Sequence, residues 1–236
     1  MYSELSLNSQ ESFNREQVFL RSVGLWTMLG LLLTVATAGV LLAQPQVMSW
    51  FYHATEKGLS LSVLGWVALI MPFVLIFFIT PMANSSSSTT GLTLAYLGLT
   101  VCFGVTLTPL ALMYQPTVLI HTLLATCASF GGFAAWGWMT HRNLAGVGRF
   151  AFMGLIGLIV LGFIQIFWPS NTLNFLLGMG GVIVFTLLTA WDMQKIRQMA
   201  HTEQGSLSIV GALMLYLDFI NLFLSLLRLM GNNNRS

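Results

Sequence analysis

Between Lys57 and Arg142 the chain carries no Asp, Glu, Lys or Arg over 84 consecutive residues. Soluble domains carry about 25% charged residues and need them to cover an exterior. No water-facing surface can be built from such a stretch. The full 236-residue chain has 7% charged and 56% hydrophobic residues. That balance excludes a disordered chain, a nucleic-acid-binding domain and nearly any water-soluble fold. A polytopic membrane protein remains, and its first partner is the lipid bilayer.

A bilayer-crossing helix needs about 20 apolar residues. Seven segments qualify: 22–43, 59–80, 90–113, 117–139, 149–168, 172–192 and 206–229. Runs such as Leu155-Ile156-Gly157-Leu158-Ile159-Val160-Leu161 do not alternate between polar and apolar as barrel strands do. The expected fold is therefore all-α, with seven transmembrane helices over 22–229 between a tail at 1–21 and a tail at 230–236. The leader mixes Glu4, Glu11 and Glu16 with Arg15 and Arg21, and the first apolar run is long enough to span. This is an uncleaved helix after a polar or amphipathic tail, not a secretory signal.

Positive charge sets orientation. With residues 1–21 cytoplasmic, the inside holds Arg15, Arg21, Arg142, Arg149, Lys195 and Arg197, and the outside Lys57, Arg228 and Arg235. The bias favours a cytoplasmic N-terminus, and seven spans place the C-terminus outside. Asn84 to Thr90 is a polar linker between the second and third spans. Pro72 and Pro109 punctuate two spans, and Pro109 frees the carbonyl of Val105 from its helix ladder. Small residues at Ala128-Ser129, Gly131-Gly132, Gly154, Gly157, Gly178, Gly180 and Gly181 suit close helix packing. Cys102 and Cys127 lie in apolar runs and read as small buried packing residues.

Two acidic residues fall where lipid should be, Asp192 at the end of the sixth span and Asp218 within the seventh. A charge at membrane depth costs at least about 2.5–3.5 kcal/mol, so such residues tend to face protein or water and to mark a pathway or relay. In an antiparallel hairpin turning at Gly205, the midpoint of 192 and 218, the two carboxylates are level. About ten helical residues then separate them from the turn, or roughly 15 Å. Helical spacing adds Thr189 and Lys195 beside Asp192, and Gly211, Asn221 and Ser225 beside Asp218, giving a polar seam in two apolar helices. Two such carboxylates cannot both ionise cheaply, so they titrate as a pair, and a proton and Ca²⁺ compete to relieve the same repulsion. The simpler alternative is two structural aspartates paired separately with Lys195, Arg142 or backbone donors.

Other chemistry is thin. His53, His141 and His201 fall in expected loops and His121 near the start of the fourth span, with no zinc-ligand spacing. No nucleophile elbow or phosphate loop occurs. Two membrane aspartates also describe intramembrane aspartyl proteases, but the required Gly-x-Gly-Asp is replaced by Leu215-Tyr216-Leu217-Asp218 and the Pro-Ala-Leu element is absent. No catalytic residue and no cofactor beyond transient Ca²⁺ is expected.

The run Leu215-Tyr216-Leu217-Asp218-Phe219-Ile220-Asn221-Leu222-Phe223, followed by Leu226-Leu227-Arg228, resembles the C-terminal signature of the Bax inhibitor-1 (transmembrane Bax inhibitor motif) family, in its bacterial branch. Thr189-Ala190-Trp191-Asp192-Met193-Gln194-Lys195-Ile196 looks like that family's preceding aspartate motif, with Trp where Tyr is common. Gly104-Val105-Thr106-Leu107-Thr108-Pro109 is similar to its third-span motif. The resemblance implies a seven-helix bundle with the last helix central, wrapped by two three-helix layers, in a bacterial inner membrane. It also implies a pH-sensitive Ca²⁺ leak in which Asp192 and Asp218 sense protons, gate the pore and offer the metal site. Channel-like relatives carry an acidic residue in span two and a basic cluster at its end. Here Gly65 takes the acidic place and Thr80-Pro81-Met82 the basic one, so the gate must be latched differently. The rival role is a non-conducting regulator of a membrane protease or survival pathway, engaged through residues 1–21.

The charge bias carries a direct test. A reporter fused after Arg235 is expected to be active only when it requires export. A cytoplasmic readout there would mean six spans or a re-entrant segment.

Overall fold

A computed structural model describes residues 2–55, 58–84, 89–200 and 207–232, with side chains from residue 14 and not at 80–84 or 232. The elements in order are α1 (Tyr2–Ala43), α2 (Pro45–Phe51), β1 (Tyr52–Thr55), β2 (Gly58–Leu61), α3 (Val63–Asn84), α4 (Thr89–Met113), α5 (Pro116–Met139), α6 (Ala145–Phe167), α7 (Asn171–Met199) and α8 (Leu207–Asn232). Helices dominate because lipid offers backbone groups no partners, and a helix satisfies them internally. Six are long and apolar enough to cross a membrane: α1 from Asn14, α4, α5, α6, α7 and α8. The 22-residue α3 adds a further apolar helix. The protein is a polytopic all-α membrane protein.

Several expectations shift. α1 runs on upstream through the polar leader to Tyr2. α7 continues to Met199, so Asp192 lies two turns inside a helix and not at its end. Apolarity marks where a span leaves lipid, whereas good helix formers such as Gln194, Lys195 and Arg197 carry the helix onward. A short antiparallel hairpin, Tyr52 opposite Leu61 and Thr55 opposite Gly58, occupies the expected start of span two. It places His53 in a strand. Cys127 is exposed on its helix and Cys102 is half-buried, so neither is a buried packing residue. The turn residue Gly205 and the histidine at 201 lie outside the described residues.

The chain forms two compact units. One comprises 17–113 and 204–213, the other 1–16, 114–203 and 214–236. The first holds most of α1, α3, α4 and the start of α8; the second holds α5, α6, α7 and the rest of α8. The last helix is the most buried of the long spans: 61% of its most apolar stretch is buried, against 6% for α6.

In the first unit the helix break at Pro109 finds its partner. The Tyr52 hydroxyl donates to the Val105 carbonyl at 2.7 Å, the group the proline leaves free. Leu41, Ala68 and Val105 pack around Tyr52, and this burial pushes its phenol up to about 12. Gly104 lies against Thr34 and Thr37 of α1, leaving no room for a Cβ. Tyr96 donates to the Trp26 carbonyl at 2.8 Å and sits edge-on to that ring. Gly65, where the family resemblance leads one to expect an acid, packs on the Phe51 carbonyl and the Leu61 side chain. Even a methyl group would overlap that backbone, which accounts for the missing carboxylate.

In the second unit α7 is the helix against which the others pack. Gly137 of α5 meets the backbone of Ala190, Gly148 of α6 the Trp191 ring, and Gly154 the Val184 side chain. Gly178 and Gly181 of α7 accept Leu229 and Ser225 of α8. Gly131, Gly132 and Gly157, by contrast, face open space and pack against nothing. An apolar cluster of Ala151, Val184, Phe185, Leu188 and Leu222 fills the interior.

Two substitutions test these contacts. Tyr52→Phe leaves the Val105 carbonyl buried without a donor and is expected to cost about 1–3 kcal/mol. Gly137→Ala forces a Cβ into the Ala190 carbonyl and is expected to cost a similar ~1–3 kcal/mol of overpacking strain. Thermal unfolding of the detergent-solubilised protein should show both losses, while Gly131→Ala leaves the transition unchanged.

Candidate functional site

α7 and α8 run antiparallel, and their glycine contacts fix the register between them. Ser225 seats over Gly181. Eight residues onward from Gly181 is Thr189; the matching steps back from Ser225 reach Leu217, beside Asp218. Asp218 therefore stands level with Thr189, and Asp192 lies one turn nearer the end of α7. The register set at Gly181 and Gly178 thus offsets the two aspartates by about a turn from the level arrangement expected.

Both aspartates are enclosed, Asp192 at 8% exposure and Asp218 at 5%. The Asp218 carboxylate interacts with Asp192, Lys195 and Thr189. Thr189 is fully buried and donates to the Phe185 carbonyl at 2.7 Å. Asp218 Oδ2 is buried and receives no hydrogen bond among the described residues. Asp192 Oδ1 lies 2.6 Å from Lys195 Nζ, in an ion pair whose angles fall outside hydrogen-bond geometry. The same ammonium sits 3.7 Å from the centroid of the Trp191 ring.

The rest of the expected seam is arranged less directly. The Asn221 side chain donates to the Leu217 carbonyl at 2.8 Å and Ser225 to the Asn221 carbonyl at 2.7 Å, both within α8. These bonds spend polar groups on their own helix. Arg142 does not pair with either aspartate; its carbonyl accepts from Gln194 Nε2 at 2.9 Å, and the Leu144 amide donates to Gln194 Oε1 at 2.9 Å. Arg197 holds Glu16 Oε1 through Nε at 2.9 Å and the Trp138 carbonyl through Nη1 at 3.0 Å.

Sequence reasoning missed Gln194, Arg197, Glu16 and the cation seat on Trp191. One signal was available. Asp192, Lys195 and Trp191 lie within one turn, so an (i, i+3) ion pair over an aromatic face was readable from spacing. The partners of Gln194 and Arg197 are far away in sequence and had no local signal. Among the described residues no cluster of three or more His, Cys, Asp or Glu is positioned to hold a metal. A cation here would have two carboxylates and the hydroxyl of Thr189 as its protein oxygens.

Residues 16–235 match the family model described as "Inhibitor of apoptosis-promoting Bax1". The inner membrane protein YbhL of Escherichia coli K12 is 33% identical over 223 residues, 92% of each chain. YrjE of Lactococcus lactis is 33% identical over 221 residues, 89% of this chain and 93% of that one. RP147 of Rickettsia prowazekii is 44% identical over 142 residues, 58% of this chain and 59% of that one. With the family's model matching almost from end to end, and relatives such as YbhL aligning over nearly their whole length, the chain belongs to the Bax inhibitor family.

Proposed function

We propose that the protein is a pH-sensitive Ca²⁺ leak of a bacterial inner membrane, gated by protonation of Asp192 and Asp218. The single observation that supports this most is a carboxylate buried in the middle of a spanning helix with an oxygen that receives no hydrogen bond. A group so costly to bury, facing a second carboxylate, suits a proton relay or an ion path far better than packing. The membrane assignment draws also on the printed name of YbhL, an inner membrane protein.

We further propose seven crossings, with residues 1–21 inside and 230–236 outside. Parity supports α3 as a span. Glu16 and Trp138 both bind Arg197, so they lie on one side of the membrane. Between Glu16 and Trp138 run α1, α3, α4 and α5, and an even number of crossings is required. Dropping α3 alone would leave three and would put Trp138 on the wrong side.

A second reading, a non-conducting regulator of a membrane protease, is favoured by the Glu16–Arg197 pair. It ties the N-terminal helix to the helix bearing Asp192, so a partner engaging residues 1–21 would act on that helix. Deleting residues 2–12 should then abolish regulation and leave ion flux untouched.

Ca²⁺ flux into proteoliposomes across pH 5–8 tests the leak. Asp192→Asn and Asp218→Asn are each expected to remove the pH dependence, almost equally, because the repulsion belongs to the pair. Flux itself persists in both, since an uncharged residue mimics the protonated state. A normal pH response in both variants would sink the di-aspartyl gate, and an effect at one site alone would make it a lone sensor.

A further inference from the structure

The second span has no basic cluster, yet the aspartate pair is not without a cation. Lys195 occupies the position one turn along α7 from Asp192, with its ammonium between two seats that both attract positive charge. One is the Asp192 carboxylate, 2.6 Å away. The other is the face of Trp191, 3.7 Å away, and Trp191 is itself held because Gly148 of α6 packs on its ring. The third party is Asp218, 5% exposed, whose Oδ2 receives no hydrogen bond and whose carboxylate interacts with Lys195. Among the described residues no other charged side chain is paired with either aspartate. Arg142 in the α5–α6 connection and Arg149 of α6 are exposed, and Arg197 is engaged by Glu16.

We infer that Lys195 is the resident cation of the aspartate site, a tethered ammonium that an incoming Ca²⁺ must displace. The inference rests on the proposed leak and supplies its latch. Two carboxylates and one ammonium carry a net charge of minus one, and a single proton brings the site to neutrality with Lys195 in place. Ca²⁺ brings two charges and needs both carboxylates, so its entry expels the ammonium. The side chain can leave, because it is 29% exposed and its four-carbon stem is flexible. Trp191 offers it a seat beside the vacated carboxylate, so displacement does not strand the charge in hydrocarbon.

The chain has just two lysines, Lys57 and Lys195. That makes lysine acylation a comparison of two side chains, with Lys57 as the internal standard. Full-length protein in lipid nanodiscs is treated briefly with a water-soluble acetylating ester, and the Lys195-to-Lys57 labelling ratio is read by mass spectrometry. An amine held against a carboxylate and a ring is shielded from the reagent. Asp192→Asn is expected to raise the ratio about fivefold, the size of contact that a partly exposed ion pair provides. Asp192→Glu, which retains the carboxylate, should keep the wild-type ratio and thereby separates release of Lys195 from misfolding. Calcium chloride added to wild type should raise the ratio similarly, sodium chloride of equal ionic strength should not, and Asp218→Asn should abolish the calcium effect. A ratio indifferent to Asp192→Asn, or to Ca²⁺, overturns the inference. Flux measured on the same preparations keeps the two readings distinct. A calcium-responsive ratio without Ca²⁺ flux would sink the leak and leave the tethered cation standing. Flux with an unresponsive ratio would do the reverse.

Discussion

A carboxylate enclosed among apolar helices demands compensation, and the second unit is arranged around that demand. Asp192 and Asp218 lie on the helices that bury the most. Their partners come from α7 itself: Lys195 one turn onward and Thr189 one turn back. This local supply frees α5 and α6 to pack on α7 as almost purely apolar helices. It also explains how the chain does without a charge anywhere between Lys57 and Arg142. Breaking such a pair by deleting one member leaves an uncompensated buried charge, which is why the arrangement is held so tightly by its neighbours.

The holding is done by glycine. In lipid the hydrophobic effect does not drive helices together, so close backbone approach and dispersion must serve. Gly137, Gly148, Gly178 and Gly181 each leave no space for a Cβ: the first two bring α5 and α6 onto α7, and the last two bring α7 onto α8. The contacts of Gly178 and Gly181 with α8 bring Asp218 level with Thr189. The same logic governs the first unit, where Tyr52 satisfies a carbonyl freed by Pro109.

Much of this was legible in the sequence. The charge desert points to a polytopic membrane protein, and six of its helices are long and apolar enough to cross a membrane. The aspartates, Thr189 and Lys195 stand out because their spacing is local, and periodicity carries local information well. What was not legible depended on tertiary contacts. Tyr52 and Val105 are 53 residues apart, and Arg197 and Glu16 are 181 apart, so neither spacing hints at a meeting. Cys127 and Gly131 misled because small residues in an apolar run face lipid as readily as protein. A membrane inverts the usual inference from hydrophobicity to burial, and only packing distinguishes the two faces.

The departure at Gly65 ties these strands together. A carboxylate there would meet the Phe51 backbone, so the hairpin-bearing connection and an acid in early α3 are mutually exclusive in this chain. The buried negative charge lies on α7 and α8, and its nearest cation is Lys195. The second span carries neither the acid nor the basic cluster that the resemblance led one to expect, and holds no charge from 59 to 90. What replaces a contact between distant helices is a contact within one turn, which forms whenever α7 folds. Its strength then depends on how well Trp191 is seated, and hence on the absence of a side chain at Gly148.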